Sequence, residues 1–226
     1  MAKGIYFNPN KNAFDTTQFI YADTLLVRVN EIQNARYYTF EYSNGGIVKR
    51  NHFLVNSTES AYTLFTYDAQ GKLTAIEVFD DKNNKSRSYI LSYSGDKLAK
   101  AIEKRHTSLG TVYVENEYTY TYTGDNISRS TIFSPVTSQT SVVDYTYDNQ
   151  ENHLSKRKNT LLVEPYFFTK EGTLYPYFFS RNNLLTVVFN GVPSGGIHKW
   201  VTNPSGYLTE ILVDNKSTVK YEYNCN

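Results

Sequence analysis

The sequence lacks most of the features that would declare a chemistry. It has one cysteine, Cys225, one methionine and one tryptophan, Trp200. A single cysteine forms no internal disulfide, so no disulfide framework holds this chain. Four histidines, His52, His106, His153 and His198, stand 45 or more residues apart. Without HxxxH spacing or a cysteine cluster they form no transition-metal signature. No apolar run reaches the roughly 18 residues of a membrane-spanning helix. The opening Met-Ala-Lys-Gly has no apolar core of the kind a signal peptide carries. Lys and Arg number 23 against 22 Asp and Glu, so net charge suggests neither a nucleic-acid nor an anionic-membrane partner. A Gly-x-Ser-x-Gly elbow, a Walker loop and a dinucleotide glycine fingerprint are all missing. The sequence therefore names no catalytic residue and no cofactor, and a non-enzymatic protein is expected.

What the chain does have is aromatic residues in register. Tyr and Phe number 21 and 13. Five tyrosines, Tyr42, Tyr67, Tyr93, Tyr122 and Tyr147, follow one another at steps of 25, 26, 29 and 25 residues. A near-constant period of this size marks a repeat architecture. Each anchor ends an alternating run, such as Tyr38-x-Phe40-x-Tyr42 or Tyr118-x-Tyr120-x-Tyr122, and period two puts such a run on one strand face. Turn chemistry follows each anchor: Ser-Asn-Gly-Gly, Asp-Ala-Gln-Gly, Ser-Gly-Asp, Thr-Gly-Asp and Asp-Asn-Gln-Glu-Asn. Gly and Asn accept positive φ and Asp bonds its own backbone, so these are hairpin loops. The return strands are expected to start at Val48, Leu73, Leu98, Ile127 and Leu154. Residues 62–76 are the clearest copy. One unit is a β-hairpin, which is marginal alone and must pair with its neighbours.

Charged residues on the return strands, among them Lys49, Arg50, Glu77, Lys100 and Glu103, predict a solvated face opposite the tyrosines. Leu73 and Ile76, three apart, would fall on opposite faces in a regular strand, as would Leu208 and Ile211. A β-bulge or burial on both faces would reconcile them. The turn acids Asp68, Asp96, Asp125 and Asp148 could line one edge and attract calcium. No Asp-x-Asp-x-Asp loop accompanies them, so Asx-type turn roles are the expectation. Glu115 and Glu117 are candidates for a hydrolytic carboxylate site, weighed against solvated residues on a charged face.

Phe65-Thr-Tyr67-Asp-Ala-Gln-Gly71-Lys-Leu73 resembles the YD (RHS-like) repeat, with its Tyr-Asp-x-x-Gly-Arg-Leu core. The units are degenerate, because Ser or Thr replaces Asp after Tyr42, Tyr93 and Tyr122. Tyr147-Asp148-Asn149, Ser180-Arg181-Asn182-Asn183 and Tyr221-Glu-Tyr223-Asn-Cys225 follow in the order seen in secreted Bacteroidetes lipoproteins of unassigned function, which residues 36–226 resemble. The resemblance implies an exported protein of the periplasm or outer cell surface. It allows for a lipid anchor ahead of this sequence.

Taken in order, residues 1–226 read as one β-hairpin-repeat domain. Residues 1–19 are expected to form an N-terminal arm, 20–161 the regular hairpin units with a first edge strand at residues 24–30, and 201–226 a closing hairpin. Residues 162–200 break the period. Their aromatics include Tyr166, Phe168, Tyr175, Tyr177, Phe179 and Trp200, punctuated by Pro165, Gly172 and Pro176. Within them, residues 184–189 read as a strand and 191–196 as a loop. Two expectations attach to this segment: it caps the sheet, or its aromatics bind a ligand such as a glycan or a cell-surface protein. The expected fold is all-β, an antiparallel meander of about a dozen strands, strongly twisted and curled, with a closed barrel as the alternative.

Overall fold

The computed structural model describes residues 2–8, 13–23, 25–54, 60–152, 179–205 and 207–223. The fold is an all-β antiparallel meander, with no α-helix among the described residues. Seventeen strands are described. The first seven are β1 (Ala2–Asn8), β2 (Ala13–Ala22), β3 (Leu25–Glu31), β4 (Arg36–Ser43), β5 (Gly46–Leu54), β6 (Ser60–Tyr67) and β7 (Leu73–Phe79). There follow β8 (Lys85–Ser94), β9 (Lys97–His106), β10 (Val112–Thr123), β11 (Asn126–Ser134) and β12 (Gln139–Glu151). The last five are β13 (Asn182–Phe189), β14 (Val192–Ser194), β15 (His198–Thr202), β16 (Leu208–Val213) and β17 (Lys216–Tyr223). Residues expected as an arm are thus two paired strands, β1 and β2. The turn signal Asn8-Pro9-Asn10 obscures the alternation on either side of it.

Strands β1 to β13 pair each with the next. β15, β16 and β17 form a small sheet, and β17 also lies antiparallel to β1, with Gly4 opposite Tyr221. Among the described residues no main-chain ladder joins β15 to β13 or β14, so the barrel is not closed. Between β14 and β15 the chain passes Gly195 and Gly196, at φ 79° and 73°. A Cβ on Gly196 would stand 2.5 Å from Asp214 Oδ2 and 2.7 Å from Val213 Cγ1, so only glycine fits this backbone.

The repeat rests on a bulge and a hydrogen bond. Tyr42 faces Ile47, while Glu41 faces Lys49, leaving Val48 as the extra residue. The return strand therefore begins its buried run at Ile47 rather than at Val48. The same slip leaves Thr74, Ala99 and Ser128 unmatched in the next three units. An extra residue shifts the pleat by one, so Leu73 and Ile76 both turn inward, as do Leu208 and Ile211 beside Thr209. Where the bulge residue carries a hydroxyl, it caps a carbonyl across the hairpin: Thr74 Oγ1 to Thr66 O at 3.2 Å, Ser128 Oγ to Thr121 O at 3.2 Å, Thr209 Oγ1 to Val201 O at 3.1 Å.

Each anchor phenol then reaches back one unit, to the carbonyl just before the previous bulge. Tyr42 donates to Leu26 O at 2.7 Å, Tyr67 to Ile47 O at 2.9 Å and Tyr93 to Leu73 O at 2.9 Å. Tyr122 donates to Leu98 O at 3.1 Å and Tyr147 to Ile127 O at 2.7 Å. Leu26 O belongs to a unit ahead of the five legible in the sequence, in which Tyr21 faces Leu26. The core is a single cluster along this inner face, from Phe19 and Val29 through Phe40, Phe65, Ile76 and Tyr89 to Tyr118 and Ile127.

The inner face is not purely aromatic and aliphatic. Arg50, Glu31 and Glu103, two of them expected among the solvated charges, are buried there. Phenols make this possible, because they offer donors inside the core. Tyr89 and Tyr118, on the strands flanking β9, donate to Glu103 Oε1 and Oε2 at 3.0 and 2.8 Å. Asn116 Nδ2 and Arg87 Nη1 complete the set at 2.8 and 3.3 Å. Four donors satisfy both oxygens of this buried carboxyl without water. Glu31, at the matching place in β3, accepts from Tyr38 and Asn34 at 2.8 and 2.9 Å. The outer face carries mixed charge as expected, here arranged in ion pairs such as Glu41–Lys49, Lys100–Glu117 and Arg129–Asp144.

Candidate functional site

The irregular segment enters the fold inside a hairpin. Tyr147 of β12 faces Leu184 of β13, so β13 is the return strand of the fifth unit. Leu154, expected in that role, lies outside the described residues. Its neighbourhood resembled a return strand because Leu154-Ser-Lys-Arg copies the aliphatic-then-charged pattern. The fifth hairpin is thus closed by a return strand far along the chain, and the boundary expected at residue 161 lies outside the described residues.

A polar knot closes the neck of this insertion. Ser180 Oγ accepts from Ile127 N at 3.0 Å and donates to the Tyr147 hydroxyl at 2.9 Å. Asn126 and Asn182 exchange bonds at 2.9 Å, Nδ2 of the first to Oδ1 of the second and N of the second to Oδ1 of the first. Asn183 Nδ2 donates to Asp148 Oδ2 at 3.3 Å, and Asn152 N to Arg181 O at 2.7 Å. The Tyr-Asp-Asn and Ser-Arg-Asn-Asn motifs therefore meet each other, fastening the insertion to the turn of the preceding unit.

Beside the knot runs a groove of about 450 Å³ between β13 and β15. Its walls include Asp148 and Gln150 at one end, His198, Lys199 and Trp200 along β15, and Asn215 at the other end. Here side chains replace the missing ladder. Trp200 Nε1 donates to Leu184 O at 2.7 Å, and His198 Nδ1 stands 3.4 Å from Leu185 O. Burial holds the His198 imidazole below its ordinary pKa of 6.5, against opposing contributions from Leu185 O and Asp214. A neutral ring with its Nδ1–H on a carbonyl follows.

Of the six aromatics singled out by sequence, Tyr166, Phe168, Tyr175 and Tyr177 lie outside the described residues. Phe179 packs against the core cluster. Trp200 is half-buried and lines the groove. Lys199, Gln150 and Asn215 carried no signal in the sequence, since only folding brings their turns together. The turn acids hold structural posts. Asp68 Oδ1 accepts from Gln70 N and Lys72 N at 3.0 and 2.8 Å, and Asp148 Oδ1 from Gln150 N at 2.8 Å. Asp96 pairs with Lys72 at 2.9 Å and Asp125 with Lys97 at 3.4 Å, tying each turn to the next. Glu115 and Glu117 pair with Arg105 and Lys100 at 2.9 and 2.6 Å. Among the described residues no group of three His, Cys, Asp or Glu is placed to hold a metal.

No family model matches the chain, and no curated protein matches its sequence. Its fold is similar to that of a porin-like protein from Bacteroides uniformis, with a TM-score of 0.60 and 13% identity over 98% of this chain and 94% of that one. A DUF3836 family protein from Bacteroides vulgatus matches 35% of this chain and 90% of its own length, at TM-score 0.30 and 18% identity. The TcdB2-TccC3-Cdc42 structure aligns over 92% of this chain and 13% of that one, at TM-score 0.27 and 14% identity. These likenesses are distant. The first shows a shared all-β architecture.

Proposed function

We propose that this chain is a non-enzymatic, exported binding or scaffolding protein of a bacterial periplasm or outer surface. The observation that carries the reading is the groove at Trp200. An indole, a carboxylate, amides and an ammonium group converge there beside the neck of an insertion, on an otherwise regular scaffold. Such an insertion on a rigid frame is where binding residues are usually placed. The paired carboxylates Glu115 and Glu117 and the four-donor Glu103 are already engaged, which weighs against the hydrolase alternative.

The shared architecture with a porin-like Bacteroides protein supports export. Spanning a membrane is another matter. A membrane barrel needs an outward apolar band about 25 Å tall. The outward rows here carry Glu41–Lys49, Lys100–Glu117 and Arg129–Asp144, which suit water. The outer face of the described strands therefore reads as water-facing.

A second reading gives the groove a neutral glycan. An aromatic face with amide and carboxylate partners matches the apolar and hydroxyl surfaces of a sugar ring. The test is a glycan array on the purified protein beside W200A, Q150A and N215A variants. Sugar binding that W200A abolishes supports the glycan reading, and no signal above background sinks it. Fractionation of the native host tests export separately, and a purely cytosolic protein would overturn it.

A further inference from the structure

The two edges of the meander differ. At the edge where the anchors turn, the middle loops are polar and tied to one another by Lys72–Asp96 and Lys97–Asp125, and exposed apolar residues such as Leu25 and Tyr207 stand singly. At the opposite edge, three consecutive hairpin tips carry apolar residues into solvent. The β9–β10 tip holds Leu109, 92% exposed, and Val112; the β11–β12 tip holds Phe133 and Val136, 62% exposed; the β13–β14 tip holds Phe189 and Val192, 66% exposed.

These tips are fixed in shape. Thr107 accepts from Gly110 N at its carbonyl and from Thr111 N at its hydroxyl, at 3.0 and 3.1 Å. Asn190 and Gly191, at φ 47° and 80°, make a two-residue turn whose backbone matches a type I′ hairpin. Asn190 is pinned to β12 by its own N–H on Val142 O, at 2.8 Å, and by Val142 N on its Oδ1, at 2.7 Å. Apolar groups held rigidly in water cost free energy with no gain to folding, which points to a partner.

The charge pattern indicates its kind. Residues 130–143 and 185–198 contain no Asp, Glu, Lys or Arg, and residues 104–114 contain only Lys104 and Arg105. The next tip along, Asp80-Asp81-Lys82, is charged and carries no such apolar pair. Adjacent tips stand two strands apart, roughly 10 Å. They form separate wedges rather than one groove that a protein partner could fill. Separate apolar wedges with uncharged tips, with Lys104 at the base of one and its neighbour Arg105 already paired with Glu115, suit the interface of a lipid bilayer. We infer that the tips of β9–β10, β11–β12 and β13–β14 dock this protein onto a membrane surface by shallow insertion. The near-zero net charge conceals this, because the determinant is local.

The test is co-sedimentation of the full chain with vesicles of phosphatidylethanolamine and phosphatidylglycerol. The wild type should pellet with vesicles, and the triple variant L109D, V136D, V192D should lose about tenfold or more of that binding. All three sites are exposed, and circular dichroism should show the triple variant folded. The double variant L25D, Y207D, altering exposed residues at the opposite edge, should bind as the wild type does. Wild-type protein that stays in the supernatant overturns the proposal, as does a triple variant that binds unchanged. Tip-dependent self-association in the ultracentrifuge without vesicle binding overturns it in favour of a second copy of this chain.

Discussion

The indole N–H of Trp200 meets the carbonyl oxygen of Leu184 at 2.7 Å, filling a post that tyrosines hold in the preceding units. Leu184 faces Tyr147 as Leu98 faces Tyr93, so its carbonyl is the one the next anchor should take. That anchor slot holds Thr202, which faces Leu208 but whose side chain is too short to reach back. Trp200 sits two residues earlier on the same strand face and reaches instead. W200F should keep an aromatic ring, lose the bond and some packing, and destabilise by about 1 kcal/mol or more. T202Y in that background should recover part of the loss. Thermal unfolding of the three variants checks both statements.

The tyrosine bonds should behave as separate local links. Y67F and Y93F should each cost about 1 kcal/mol in denaturant unfolding. Their double mutant should be close to additive, because the two phenols reach different carbonyls, Ile47 O and Leu73 O. A loss far above the sum would mean the units unfold by a shared mechanism that the bonds do not describe.

Glu103 should be the most sensitive charged residue. E103A leaves Arg87, Asn116, Tyr89 and Tyr118 facing an empty acceptor in the core, and should cost about 3–5 kcal/mol. Y118F removes one donor of four and should cost about 1 kcal/mol. Chemical denaturation that ranks Y118F above E103A would contradict this arrangement.

Gly196 should not tolerate a side chain. G196A forces a Cβ onto Asp214 Oδ2 and Val213 Cγ1 at a positive φ, at a cost of roughly 1–3 kcal/mol. D214A relieves the first contact but not the backbone strain. It also removes the acceptor that Ile197 N uses at 2.9 Å. The double mutant G196A, D214A should therefore remain less stable than wild type in thermal unfolding.

Stability should fall on both sides of neutral pH. On the acid side, burial lowers the pKa of His52 and His198, and Arg36 and Arg50 lower His52 further. The unfolded chain then binds protons first, so stability is greatest above about pH 6.5 and declines below it until the folded rings also titrate. H52Q should flatten part of that slope. On the alkaline side, burial raises Tyr67, Tyr93 and Tyr122 to about 12 from 10.0. Their contribution is complete below pH 10 and is lost as pH rises toward 12. Unfolding should coincide with phenolate absorbance across that window.

The repeat was legible because its signals are local. Alternation before Tyr67 and Asp-Ala-Gln-Gly after it define strand and turn from side-chain chemistry within one hairpin. The spacing of Leu73 and Ile76 left a β-bulge and burial on both faces open, and the pairing of Tyr67 with Leu73 and of Thr66 with Ala75 decides for the bulge. Three features escaped. The first two strands were missed because the polar Asn-Pro-Asn-Lys-Asn sequence between them reads as a loop. Arg50 and Glu103 read as solvent-facing, because a charge reveals its burial only when its donors are known. Leu154 resembled a return strand, but the pairing partner of Tyr147 is Leu184, across the insertion.

The sequence by itself determined the unit: an aromatic strand, a tight turn, a return strand, and a tyrosine at a regular period. Short-range sterics and side-chain alternation suffice for that. Only the tertiary structure decided what the tyrosines bond to, how β17 comes to lie on β1, and that Trp200 replaces a phenol at the groove. Those outcomes depend on which carbonyl, charge or edge a neighbouring unit presents, and no single hairpin contains that information.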